Sequence, residues 1–482
     1  MGAFRDKLNQ KLKESGIIDG QIERPMLKTG IDWIDYLNAS LNVDNSGKVN
    51  FEVGIKQGMI ATFVGPSGSG KSTVAQQTAI NILKQDDDAV LYIFDIEKSN
   101  EHKRCRQISG ISKEEYERDW KEKRIFIKKT LTTNEGLQTL IDGIYASKME
   151  IGADLKMTVK DGRYSADALK RAKEIREATN NFPPTIIIID SLAVLAPANM
   201  TGQTNLVGAR DGMANAAIAK ANNALFKSSL EKCFEANIMI FVVNHIETLI
   251  STDMYGGDKR PLKFLKSGET LPGGKDAIFL SDLTLRIDQG AKLTPDKEFG
   301  IKGFIQKITL VKSRNNAAGI DVELIFDQFH GINNVLTNYL LLKQYNQIGG
   351  AGRGFFLKAL PDVKFTQSDI ESLYESNSNF TKVFDREAHK IYEQIILEMS
   401  NTKESVNSED TENDEPDDDE NEDSEEEEMT KEDLIHEVKA CKGNKSLKKI
   451  CMDYGIEVDS SIFTGDVDDA KEVVIKYIKK HF

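Results

Sequence analysis

The run Gly65-Pro66-Ser67-Gly68-Ser69-Gly70-Lys71-Ser72-Thr73 constrains this chain more than any other feature. It fills the G-x-x-x-x-G-K-[ST] pattern completely. The apolar stretch 59–64 before it predicts a buried strand, and Ala75, Ala79, Ile82 and Leu83 after it recur at helical spacing. Glycines let a backbone curl around a phosphate with its N–H groups inward, and a helix N-terminus adds partial positive charge. Lys71 then reaches β- and γ-phosphates, and Ser72 holds Mg²⁺. A glycine-rich turn matching by accident would lack the flanking strand and helix. The expectation is a nucleoside triphosphate site.

Four later segments place polar groups at strand ends. Residues 185–191 (T-I-I-I-I-D-S) predict a central strand with Asp190 at its mouth, suited to the Mg²⁺ shell opposite Ser72. Asp190 or Ser191 would serve equally as a helix cap. In L-Y-I-F-D-I-E (91–97), Asp95 and Glu97 are expected on one side of a strand mouth. Glu97 is the candidate base that orients and deprotonates an attacking water, and a loop-capping acid is the plain alternative. His245 ends the apolar stretch 238–243 plus Asn244 and is expected to sense the γ-phosphate, although a lone histidine is more often structural. Lys312 and Arg314 stand at i, i+2 after another apolar stretch and would clamp phosphates across a subunit interface, or else form surface ion pairs.

The stretches 59–64, 89–94, 185–189, 238–243 and 305–311 alternate with helical patterns. Continuous apolar strands between helices predict a parallel sheet covered on both faces, an α/β P-loop core over 51–335. Residues 1–50 read as an arm with a short amphipathic helix (Phe4, Leu8, Leu12, Ile17), expected at a subunit contact. Residues 336–400 read as a small, mostly helical subdomain. The segment 246–272 is long for a loop, with Tyr255, Gly256, Gly257, Lys259, Arg260, Lys263, Phe264 and Lys266. Its cations suit phosphates and its aromatics suit stacking on single-stranded DNA, the alternative being a solvated loop. Residues 147–184 carry Lys156, Lys160, Arg163, Lys170, Arg171, Lys173 and Arg176, read first as a solvated helical insertion.

Charge needs splitting by segment. The formal net charge is −14, yet 16 of the acids fall within 404–428, where no Lys or Arg occurs; the rest of the chain stands at +2. An acidic balance therefore does not exclude nucleic acid as a partner. Residues 401–428 are expected to be a disordered linker, and 429–482 a helical mini-domain with Lys439, Lys442, Lys445, Lys448 and Lys449 grouped. The 4 cysteines form no C-x-x-C pair, no 18-residue apolar run exists, and the N-terminus has no apolar signal core. A cytoplasmic protein without membrane contact is expected.

The ordered set G-P-S-G-S-G-K-S-T, F-D-I-E, I-I-I-I-D-S-L, V-V-N-H, P-G-G, V-K-S-R and H-G-I-N-N resembles the RecA-type recombinase family, most closely its bacteriophage UvsX-like branch, over roughly residues 25–360. The resemblance implies a DNA-dependent ATPase that forms helical filaments on single-stranded DNA and pairs it with homologous duplex, in recombination, repair or recombination-dependent replication. ATP and Mg²⁺ would lie between subunits, at Gly65–Thr73 of one and Lys312 and Arg314 of the next. Glu97 matches the catalytic glutamate, and His245 the residue coupling the γ-phosphate to a DNA-binding loop. The loops near 199–210 (with Arg210) and 246–272, the turn glycines Gly273 and Gly274, and Lys220 and Lys227 on the intervening helix are the implied DNA contacts. Arg104 stands where the family often has an adenine-stacking tyrosine. The mini-domain is similar to helix-extension-helix modules of the SAP type; it or the acidic linker would recruit a single-strand-binding protein or mediator. A hexameric replicative DNA helicase, which shares the core and a K-x-R segment, is the alternative. The early position of the P-loop leaves that class no room for its N-terminal collar.

Overall fold

The computed structural model describes residues 25–44, 48–130, 133–161, 182–198, 212–248, 262–294, 300–351, 354–406, 469–471 and 473–476. They fall in two units, Met1–Asp410 and Thr411–Phe482. The first is built on a nine-stranded sheet. Its strands in chain order are β1 (Ile60–Gly65), β2 (Val90–Asp95), β3 (Ile125–Lys128), β4 (Thr185–Asp190), β5 (Ile238–His245), β6 (Leu283–Leu293), β7 (Gly303–Ser313), β8 (Asp321–Asp327) and β9 (Gly331–Ile332). The spatial order is β9-β8-β7-β6-β1-β5-β4-β2-β3. Strands β6 through β3 in that order run parallel, and β6 to β9 form an antiparallel extension.

Side-chain alternation explains why the central strands are apolar throughout. In β4, Ile186 and Ile188 enter one core cluster while Ile187 and Ile189 enter another; β5 divides likewise, with Met239, Phe241 and Val243 against Ile238, Ile240 and Val242. A strand buried on both faces has no side left for polar residues. The first face is covered by α1 (Lys71–Leu83), α2 (His102–Ser109), α5 (Asn334–Gln344) and α6 (Ser378–Val406), the second by α3 (Asn134–Asp161) and α4 (Gly212–Ala236).

Two expectations need revision. The stretch 305–311 is a strand, but antiparallel to β6, because the short 294–302 connection permits only a hairpin and a parallel return needs a crossover. The region 336–400 is mostly helical, as expected, and Ile348–Gly349, Phe355–Leu357 and Leu360–Phe365 add an antiparallel meander between its helices. Its inward Phe355 and Phe365 join Tyr339 and Phe380 in a chain of edge-on and tilted aromatic contacts, with centroids 5.5–6.4 Å apart. The segment from residue 25 onward is integral to the first unit, not an arm. Trp33 and Tyr36 of the helix Asp32–Leu37 pack on Tyr392 of α6 at 4.5 and 4.8 Å. The amphipathic stretch 4–17 and the acidic segment 407–428 lie outside the described residues. So do Arg163, Lys170, Arg171, Lys173 and Arg176; Lys156 and Lys160 fall on α3. Of the second unit, 469–471 and 473–476 are helical, with Ala470 and Val474 buried. Among the described residues no helix is long and apolar enough to cross a membrane.

Candidate nucleotide-binding site

Parallel pairing brings the carboxyl ends of four strands together. Gly65 is opposite His245, and Asp95, Asp190 and Val243 lie in one row. A cavity of about 760 Å³ opens there, walled by the P-loop, Glu97, Arg104 and His245. Its outer wall comes from the β6–β7 hairpin, with Gln289, Lys292, Lys302 and Phe304 among its residues.

The P-loop's shape follows from its contacts. A Cβ on Gly65 would lie 2.0 Å from the Ile287 carbonyl oxygen, so only glycine admits β6 alongside β1 here. Gly70 precedes α1 at φ +88°, with the Gln306 amide against it; Gln306 Nε2 donates to Ser69 O at 2.6 Å. Lys71 is buried, and its Nζ donates to Pro66 O at 2.6 Å. Burial lowers its pKa to about 8, opposed by Asp190, Glu97 and Asp288 nearby.

Asp190 is 1 % exposed. Asn100 Nδ2 donates to its Oδ2 at 3.0 Å and to Asp95 Oδ1 at 2.8 Å. Burial raises the Asp190 pKa, while the Asn100 amide and the Ser72 hydroxyl favour its charged form. Its Oδ1 nevertheless lacks a hydrogen bond of normal geometry, a buried acceptor left open beside the P-loop serine. Asp95 is occupied otherwise: it accepts from the backbone of Ser99 (3.1 Å) and Asn100 (3.0 Å), and Lys129 Nζ is 3.6 Å away. The expectation that Asp95 and Glu97 share one side fails because β2 ends at Asp95; Asp95 turns inward and Glu97 lines the cavity.

Glu97 Oε1 accepts from the Ser191 hydroxyl and faces His245 Nε2 at 2.9 Å. Its Oε2 has no hydrogen-bond partner among the described residues. Arg104 bridges the cavity's rim, donating from Nη1 to the carbonyls of Gln328 and Phe329, both at 2.8 Å, and from Nη2 to Thr73 Oγ1 at 3.2 Å. Burial lowers its pKa.

No protein-family model and no curated protein matches this chain.

Gly65, Ser67, Gly68, Gly70, Lys71, Ser72, Thr73, Glu97, Arg104, Asp190 and His245 thus converge, as the sequence pattern predicts. Lys312 and Arg314 do not join this chain's own cavity. Lys312 lies opposite Thr284, which pairs with Thr62 in the first half of β1. It caps the helix Asp276–Leu280 through the carbonyls of Ile278 (3.2 Å) and Phe279, and Arg314 pairs with Asp282. Arg210, Tyr255, Lys259 and Arg260 lie outside the described residues. Lys220 and Lys227 are exposed on α4, and Lys263 and Lys266 are exposed in the loop that follows β5. Phe264 packs beside a small apolar cluster of Val64, Ile246, Leu265 and Ile278. Gly273 and Gly274 have φ of +85° and +94° and press against Leu192 and Ala219. Asn244 Nδ2 donates to Pro272 O at 2.8 Å and Asn222 Nδ2 to Gly273 O at 2.7 Å, fixing this turn from two sides.

Sequence reading missed Asn100, the Ser191–Glu97 contact and the β6–β7 wall. Asn100 had one available signal, its position five residues after Asp95 in a loop otherwise lacking structure-forming residues. The wall residues had none, since the β6–β7 hairpin is brought to the P-loop only by long-range contacts, the pairing of Leu283–Arg286 with β1 and the Gln306 bond to Ser69 O.

Proposed function

We propose that this chain is an ATP-dependent DNA recombinase, which hydrolyses ATP while bound as a filament on single-stranded DNA. The observation that carries the ATPase reading is the cavity at the ends of β1, β2, β4 and β5, where a P-loop lysine and serine face a buried Asp190 with an open oxygen and a Glu97 with a free Oε2. The ordered motif set supports the recombinase reading. A phosphate chain fits the inward P-loop backbone and Lys71. Ser72 and Asp190 suit a Mg²⁺ that arrives with the phosphates; among the described residues no cluster of three His, Cys, Asp or Glu forms a metal cage. That ion would neutralise phosphate charge.

Glu97 takes the proton of the attacking water at Oε2, while Ser191 and His245 hold Oε1. His245 ends β5 one residue before the 246–272 segment, so a change at Glu97 is transmitted to that segment through one side chain. Lys312 and Arg314, remote from their own cavity, are available to a neighbouring copy's nucleotide.

Electron microscopy on long single-stranded DNA with Mg²⁺ and a slowly hydrolysed ATP analogue tests this. Continuous helical filaments that require nucleotide are expected. Closed rings would favour the helicase, and bare DNA would overturn DNA binding. Lys71→Ala is expected to abolish nucleotide-dependent DNA binding. Glu97→Gln is expected to keep filaments while lowering turnover about 10²–10⁴-fold.

A further inference from the structure

We propose that Arg286 is a positioning residue that couples the nucleotide cavity to segment 262–274, resting on the reading of that cavity as a nucleotide site. Arg286 lies on β6 opposite Val64 of β1, next to the Ile287 carbonyl that presses on Gly65. It is 3 % exposed. All five guanidinium N–H groups are used. Nε donates to Asp288 Oδ2 at 2.7 Å and Nη2 to Asp288 Oδ1 at 3.1 Å. Glu269 receives Nη1 at 2.6 Å and Nη2 at 2.9 Å. Nη1 also donates to the Phe264 carbonyl at 2.7 Å.

These partners belong to separate parts of the molecule. Asp288 shares β6 with Arg286 and sits close enough to Lys71 to favour the charged form of that lysine. Glu269 belongs to the two-residue strand Glu269–Thr270, which pairs antiparallel with Glu247–Thr248, just beyond His245. Phe264 and Leu265 pack with Val64 of β1 beneath the clamp. One guanidinium therefore joins the P-loop's neighbouring strand to the leg that returns from the segment after His245. The far end of that leg is fixed by Asn244 and Asn222 at Pro272 and Gly273.

Stability alone is a poor account of this arrangement. Buried ion clusters are frequently replaceable by apolar residues at little loss, whereas a fully used planar fork fixes orientation. A lysine keeps the charge here but loses the fork.

The test is hydrogen exchange of the full chain, read on peptides covering 262–274, with and without Mg²⁺ and a slowly hydrolysed ATP analogue, alongside titration of a fluorescent nucleotide. In the wild type, nucleotide is expected to slow exchange there about tenfold. Arg286→Lys and Glu269→Gln are expected to bind nucleotide within about threefold of wild type while losing that nucleotide-dependent protection. Glu269→Gln, isosteric and on a two-residue strand, keeps the test open should Arg286→Lys fail to fold. Protection retained in the variants, or absent from a nucleotide-binding wild type, overturns the coupling alone. A wild type that binds no nucleotide overturns both the coupling and the ATPase reading.

Discussion

Lys71 holds a positive charge where burial disfavours it, and three carboxylates nearby only partly compensate. Its pKa of about 8 has two consequences with a fixed sign. The folded protein binds fewer protons at this site than the unfolded chain between about pH 8 and the ordinary lysine range, so this group's contribution to stability improves as pH rises through that window. Phosphate favours the ammonium, so nucleotide binding above pH 8 must take up a proton. Affinity for the ATP analogue is therefore expected to be flat below about pH 7.5 and to fall up to tenfold per unit above 8. Isothermal titration in buffers of different ionisation enthalpy checks this; proton release in place of uptake would contradict it. Lys148 makes a useful contrast. Burial lowers its pKa to about 7, and its Nζ donates to three carbonyls (Pro183, 2.7 Å; Ala236, 2.9 Å; Asn237, 3.4 Å). Among the described residues no carboxylate forms an ion pair with it, and its role is to tie α3 to the end of α4 and the start of β4.

At the scale of elements, the P-loop depends on backbone approach as much as on its lysine. Gly65→Ala would push a Cβ into the Ile287 carbonyl, a backbone atom that only a shift of β6 relieves. A loss of about 2–3 kcal/mol is expected in denaturant titration. Gly68→Ala is the control: at φ +76° its Cβ meets nothing within 4 Å, leaving a conformational cost of about 1–2 kcal/mol. Equal losses at both positions would contradict the steric argument. The same distinction between local and long-range causes explains what the sequence made legible. The strands β1, β2, β4 and β5, and the residues Lys71, Glu97, Asp190 and His245 on or just beyond their ends, were readable because a doubly buried strand announces itself as an unbroken apolar run. β3, β6 and β8 were not. β6 alternates Leu283, Leu285 and Ile287 with Thr284, Arg286 and Asp288, and β8 alternates polar with apolar residues as a strand near the sheet's edge does. The meander at 348–365 did carry a signal, the period-two spacing of Val363 and Phe365 around Lys364, which the surrounding glycines and helices obscured.

For the whole molecule, the boundary near residue 410 predicts independence. Removing 411–482 is expected to leave the main unit's thermal transition within about 1 °C of the full chain, measured by calorimetry, since for a unit of this size a loss of about 2 kcal/mol would already move it by more than that. A larger drop would mean that the second unit contributes to the first unit's core. The main unit also has unlike ends. The cavity opens beyond the carboxyl end of β1, whereas Lys312 and Arg314 lie toward the other end of β7, about 25 Å along the strand from Phe304 in the cavity wall. A contact that matched those cations to a neighbour's cavity would join two different surfaces, so no two-fold axis could relate the partners. Growth would then be directional. One terminus would always display an open cavity and the other a pair of unused cations, and a single copy defective at one surface would halt extension at that terminus while leaving the opposite one free to grow.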